Sequence, residues 1–214
     1  MKEKKIPPKT FIRFFNANPS TDFLDFYIDD HCINSHQGYE DFTKYTQITS
    51  GQHQLSIAPH KEKEFILTKR INLRPHSIFT LVAAPSSRGT EPLSLFSIEE
   101  TSKITDAENC YIRTCSFSPS LPPSDFSLIE DYYIFKNIKY AVATTYLPFK
   151  IGPYPISIVN HSDASSILSI PPVLLKPKRF YTSYLIGLNT KAFPLKTIIS
   201  IDGRSYLKIK KNAS

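Results

Sequence analysis

Four aspartates, Asp22, Asp25, Asp29 and Asp30, stand close together early in the chain. Carboxylate oxygens gathered on one loop are hard ligands of the kind Ca²⁺ takes. Their spacing matches no EF-hand, and Asp25 and Asp29 fall at alternating positions of a strand-like run. A solvated acidic loop is therefore the expected reading of these four metal candidates. His31, Cys32 and His36 follow directly. A zinc site needs four ligands at workable spacing, and neither Cys-x-x-Cys nor His-Glu-x-x-His occurs. His60 and His161 answer one another in an internal repeat and are expected at strand ends rather than as a catalytic pair. Lys208, Lys210 and Lys211 form a short basic tail that could touch nucleic acid or another anionic polymer. No RNA-binding signature accompanies it, so a solubilising terminus is expected.

Glycines stand at 38, 51, 89, 152, 187 and 203, too far apart for a Gly-x-Gly-x-x-Gly or a P-loop. No Gly-x-Ser-x-Gly elbow exists. No catalytic residue, cofactor or metal is assigned. A sugar-binding face is conceivable from 12 Tyr and 15 Phe. The lack of Trp and the needs of the core weigh against it.

The formal charge of +7 is uneven. Residues 1–105 carry 13 basic and 12 acidic side chains, and residues 106–214 carry 13 and 7. The basic excess belongs to the second half and would favour an acidic partner. Three cysteines, Cys32, Cys110 and Cys115, are too few for a disulfide scaffold, and reduced, mostly buried thiols are expected. Cys110 and Cys115 would lie on opposite faces of one strand. No stretch approaches the roughly 20 apolar residues of a membrane span, and no apolar run of signal-peptide length follows the charged start. A cytoplasmic protein is the simplest expectation, or one that reaches a cell or spore surface by a route without a signal peptide.

The elements that must position these residues come in two copies. Phe11-Ile12-Arg13 recurs as Tyr111-Ile112-Arg113, and Asp25-Phe26 as Asp125-Phe126, at an offset of 100. Tyr45, Gly51, Ile57 and His60 answer Tyr146, Gly152, Ile158 and His161 at 101. Leu73-Arg74-Pro75 and Thr80 answer Leu175-Lys176-Pro177 and Thr182 at 102. Single-residue insertions of this kind are expected in loops. Within a copy, Gln52–Ile57 alternates polar and apolar, and the segments 77–84 and 179–186 are apolar on both faces, as covered central strands are. Gly51 and Gly152 mark turns that need positive φ. Asp202-Gly203 predicts a hairpin between 197–201 and 205–209. Many prolines and β-branched residues with no helical period predict an all-β protein. The expectation is two tandem immunoglobulin-like β-sandwich domains of about seven strands each, residues 10–100 and 110–209. The polar stretch 99–109 would link them, and 118–124, with three prolines, would form a stiff exposed loop.

The opening Phe11-Ile12-Arg13-Phe14-Phe15-Asn16-Ala17-Asn18-Pro19, followed by Asp25-Phe26-Tyr27-Ile28-Asp29, resembles a bacterial domain-of-unknown-function family that occurs as tandem repeats. That family's copies open with Ile/Val-Arg-Phe-x-Asn-Ala-x-Pro and an Asp-x-Tyr-x-Asp. It is also similar in Tyr45 to Gly51 and in Asp202 to Tyr206. The second copy departs from the pattern at Thr114 to Phe117, and Ser127 and Ile129 stand for Tyr27 and Asp29. In structural terms Ile12 and Phe14 would share a core-facing side while Arg13 points to the other. The resemblance implies a β-sandwich and often a place on the cell envelope, with no enzymatic role attached. The expected function is a non-enzymatic structural or binding module of the bacterial cell envelope or spore surface. A cytosolic binder of nucleic acid or teichoic acid, through the basic second copy, is the alternative. A hydrolase with a site between the copies is a third.

Overall fold

A computed structural model describes residues 8–62, 64–87, 92–100, 108–129 and 132–208. Two compact units divide the chain, the first made of Met1–Thr101 with Leu207–Ser214 and the second of Ser102–Tyr206. Both are all-β sandwiches with the same topology.

The first unit has eight strands: β1 Lys9–Asn16, β2 Phe23–Ile28, β3 His31–Gly38, β4 Thr46–Thr49, β5 Gly51–Pro59, β6 Leu67–Leu73, β7 Ile78–Pro85 and β8 Leu93–Glu99. One sheet runs β4-β1-β7-β8 and the other β3-β2-β5-β6. The second unit repeats this with β9 Asn109–Ser116, β10 Ser124–Ile129, β11 Tyr132–Ile138, β12 Leu147–Lys150, β13 Gly152–Asn160, β14 Ser166–Leu175, β15 Phe180–Ile186 and β16 Lys196–Ile201. Its sheets run β12-β9-β15-β16 and β11-β10-β13-β14. Among the described residues each unit has eight strands, against the seven or so expected. The short β4 and β12, four residues each, are too brief to show a period in sequence.

The two cores form where period-2 faces meet. Ile12 and Phe14 of β1, Leu24 and Phe26 of β2, Leu55 and Ile57 of β5, and Leu81 of β7 fill the first. Cys110, Ile112, Phe126, Leu128, Ile156 and Ile158 fill the second. Strands β7 and β15 are buried along their whole length, as their largely apolar character on both faces predicts, and they carry Thr80, Thr182 and Ser183 inside with them. Each pairs in parallel with the opening strand of its unit, β7 with β1 and β15 with β9.

Gly51 at φ +125° and Gly152 at φ +150° make the entries to β5 and β13, in the region that glycine tolerates best. Asp29 and Asp30, at φ +48° and +64°, form the two-residue turn between β2 and β3. Positive φ at both central positions defines the hairpin turn that matches strand twist. Asp29 is thus a turn residue and not the alternating strand position expected of it.

Asp202-Gly203 forms no hairpin. The chain leaves β16 into a 3-10 turn, Gly203–Ser205, and Asp202 is fully buried. A carboxylate held inside the fold is unavailable to shape an exposed turn. Of the expected linker, Glu99 ends β8, Glu100 is buried and Asn109 opens β9, while 101–107 lie outside the described residues. Cys110 and Cys115 are buried, but Cys32 is exposed at the start of β3.

Both single-residue insertions that separate the repeats fall in strands, not loops. In the first unit Tyr27 pairs with Cys32 and Ile28 with His31. In the second, Ser127 pairs with Tyr133 and Ile129 with Tyr132, so β10 advances two residues against one. The offset grows from 100 to 101 there. The position answering Asp29 is therefore Glu130, outside the described residues, and not Ile129. The step from 101 to 102 is a bulge in β14. Tyr154 pairs with Val173 and Ile156 with Ile170, where β5 and β6 pair without a break. A bulge accepts one extra residue by bending its strand, and so preserves the pairing on either side.

Candidate functional site

Two sets of hydrogen bonds gather charged side chains, and each set occurs twice. In the first, Asp25 Oδ1 accepts from the Ser35 hydroxyl at 2.7 Å, the His36 backbone N–H at 2.8 Å and His60 Nδ1 at 3.0 Å. Asp125 Oδ1 accepts from the Asn137 N–H at 2.8 Å and from His161 Nδ1 at 2.7 Å. His36 and Asn137 have φ near +59° and +55°. Each carboxylate thus holds a left-handed residue of β3 or β11 and ties it to the end of β5 or β13. Burial opposes ionisation of Asp25. The His36, Ser35 and His60 hydrogen bonds outweigh it and hold the carboxyl below its ordinary value.

In the second set, Arg13 and Arg113 lie on the face of the β1 or β9 sheet turned away from the core. That face is not solvent. Arg13 Nε donates to Thr80 Oγ1 at 2.9 Å, and its guanidinium carbon sits 4.6 Å from the Phe42 ring centroid and 4.8 Å from that of Tyr45. The Tyr45 hydroxyl bonds Glu100. Arg113 Nε donates to Thr182 Oγ1 at 2.8 Å and lies 4.3 Å over Tyr146. The Tyr146 hydroxyl donates to Asp202 Oδ2 at 2.5 Å, and Thr182 bonds the same carboxylate. Thr43 and Thr144 lock the covering segments by reciprocal bonds: Thr43 N donates to Phe14 O and Phe14 N to Thr43 Oγ1, both at 2.9 Å. The second unit repeats this between Thr144 and Thr114, at 2.9 and 3.0 Å. Burial works against the Arg113 charge, but Tyr146 and Asp202 more than restore it and raise its pKa. The recurrence of Arg13, Tyr45 and Thr80 in the second copy is the sequence signal that could have exposed this set.

The acidic cluster does not converge. Asp22 and Asp30 are exposed, Asp25 is buried, and Asp29 accepts from Gln54 N at 2.9 Å and His53 Nδ1 at 2.6 Å. Of these bonds the Gln54 N–H does most to lower the Asp29 pKa. His31 bonds the Asp29 carbonyl, His36 stacks on Phe23 at 3.9 Å, and Cys32 bonds the Asn34 carbonyl. Among the described residues no three His, Cys, Asp or Glu side chains form a metal-binding group. Lys208 is exposed, while Lys210 and Lys211 lie outside the described residues.

The repeats differ on the outer face of the second unit's β11-β10-β13-β14 sheet. A depression of about 350 Å³ lies there, lined by Ser127, Tyr133, Ser157 and Ser169 together with the apolar Ile129, Pro155, Ile156 and Ile170. Tyr133, Ser127, Ser157 and Ser169 are cross-strand partners in one row over four strands. In the first unit the same row reads Cys32, Tyr27, Ser56 and Thr68. There the Tyr27 ring packs edge-on to Phe65 at 5.1 Å, and the Ser56 and Thr68 hydroxyls bond each other at 3.0 Å. The first row closes on itself; the second stays open. Sequence reasoning missed this groove, although the loss of Tyr27 at Ser127 was visible.

Fold and repeated polar sets together define a tandem immunoglobulin-like β-sandwich protein. The chain belongs to the family described as domain of unknown function DUF4397, whose model matches residues 10–127. No curated protein matches the sequence. Among solved structures, the chain is similar to the crystal structure of CBMbc, family CBM26, from Eubacterium rectale Amy13K in complex with maltoheptaose. The similarity covers 90% of this chain and 96% of that one at 10% identity and a TM-score of 0.26. That likeness is too loose to bear on ligand or mechanism. No helix among the described residues is long and apolar enough to cross a membrane.

Proposed function

We propose that the protein is a non-enzymatic structural or binding module of the bacterial cell envelope or spore surface. One observation carries this reading. The Asp–His pairs and the Arg–Thr–carboxylate sets occur in matching form in both units, where each holds strands together. Duplicated groups with the same strand-holding partners serve the fold. What differs between the units lies at the surface, where partners are met. Fractionating growing and sporulating cells tests the location: the protein is expected with envelope or spore-coat material, and protein found only in the cytosol at every stage overturns it.

A second reading has support of its own. In the first unit Arg74 pairs with Glu99. The equivalent positions in the second unit are Lys176 and Ile201, so that cation loses its partner. Nearby, Lys150 and Lys178 line an open depression of about 540 Å³ together with Glu108, Ile151 and Pro177. This basic end supports binding of an acidic polymer. Binding of DNA, RNA or teichoic acid that weakens steeply with salt supports it, and no binding at low salt ends it.

A further inference from the structure

The two insertions that distinguish the repeats flank one groove, and this is where a specific ligand would be held. The first insertion is a bulge at Leu128, which leaves the exposed Ile129 paired with Tyr132 and in the groove's lining. The Ser127 hydroxyl fixes that bulge by accepting from Ile129 N at 3.1 Å and donating to Tyr132 O at 2.6 Å. The second insertion bends β14 at Pro171-Pro172, opposite Pro155. Bulges re-aim side chains and concentrate beside binding sites. Between the bends, the hydroxyls of Tyr133, Ser157 and Ser169 share one face and engage no other described residue. Their first-unit counterparts are Cys32, whose thiol bonds the Asn34 carbonyl, and Ser56 and Thr68, which bond each other, while Tyr27 in place of Ser127 packs on Phe65.

We propose that this groove binds a neutral, polyhydroxylated ligand, a saccharide segment, and that only the second repeat does so. The inference rests on the binding-module reading above. The lining has three hydroxyls with no partner among the described residues, able to exchange hydrogen bonds, and a tyrosine ring with isoleucine and proline walls to meet apolar C–H surface. No charged side chain lines it among the described residues, which disfavours an anion. Pro171 and Pro172 on the edge strand β14 withhold backbone donors, which disfavours an added peptide strand. Its volume falls in the range of small-ligand sites, about 300–1,000 Å³.

Titrating the full chain with neutral tetrasaccharides of glucose, mannose, galactose and N-acetylglucosamine, followed by amide NMR, tests this. Saturable shifts are expected at Ser127, Ile129, Tyr133, Ser157 and Ser169 with at least one of the four. Ser157→Phe, which fills the groove, and Tyr133→Ala, whose side chain is only partly buried, should each weaken binding at least tenfold. Thr68→Ala in the first unit should leave it unchanged. Dispersed amide spectra confirm that each variant folds. No shift with any tetrasaccharide overturns the ligand class. Shifts clustered elsewhere, or variants that bind as the parent does, overturn the site. If sugars fail while the chain still sediments with isolated envelope material, the saccharide inference falls and the binding-module reading stands.

Discussion

Asp25 shows how a residue with catalytic or metal-binding chemistry can serve the fold instead. Its carboxylate receives three hydrogen bonds, two from the adjacent Ser35 and His36 of β3 and one from His60 beyond the end of β5. Its pKa lies below the ordinary 3.8 in the folded protein, so the unfolded chain binds more protons in the acid range. Stability from Asp25 is therefore present above about pH 4 and lost as pH falls through the lowered folded value. Chemical denaturation from pH 6 to pH 2 should show that loss, and Asp25→Asn should flatten it. Asp202 is a sharper case, because it neutralises a buried guanidinium. Removing one partner of a buried ion pair leaves an uncompensated charge, so Asp202→Ala should cost about 3–5 kcal/mol in urea titrations. Thiol reactivity follows exposure: Cys32 should react first with a disulfide reagent under native conditions. Burial pushes Cys110 up to about 11 and raises Cys115 as well. Equal rates for all three would contradict their placement.

Among the elements, β10 and β14 separate the two units. Each carries a one-residue insertion absorbed as a bulge, which the first unit lacks. Deleting Ile129 should restore the register of Tyr27 and Ile28, so the variant is expected to fold with a melting temperature within a few degrees of the parent. Loss of the folded amide spectrum would show that the bulge is needed for stability. Gly187 has no such tolerance. At φ +106°, its added Cβ would lie 2.3 Å from the Pro194 carbonyl oxygen. Gly187→Ala combines a strained dihedral with a backbone clash, and should destabilise the protein by about 2 kcal/mol or more.

For the whole molecule, each unit has its own core and its own complete pair of sheets. Residues 8–101 and 108–206, expressed separately, should each give a β-type circular dichroism spectrum and a cooperative melt. A half that stays unfolded alone would show that its sandwich depends on the other. The division of labour is also visible at this scale. The first unit keeps the family's opening motif and neutralises its surface through pairs such as Arg74–Glu99. The second carries the basic end and the open groove.

The all-β character, the two copies, the core faces of Ile12 and Phe14, and the covered strands β7 and β15 follow from period-2 patterning. Such a pattern is local and survives in a linear string. The sites are not local. Arg13 could be placed on the face away from the core, but its surroundings come from far along the chain: Phe42 and Tyr45 from the segment between β3 and β4, Thr80 from β7, and Glu100, bonded to Tyr45, from just beyond β8. Asp202-Gly203 has a turn's composition, yet tertiary packing draws the carboxylate inward against Arg113. The insertions could be counted from the offsets, but only strand pairing shows that they are bulges facing one groove. Sequence alone determined the period and the repeat. Tertiary structure decided which polar groups are spent on the fold and which remain open to a ligand, because that depends on contacts between residues far apart in the chain.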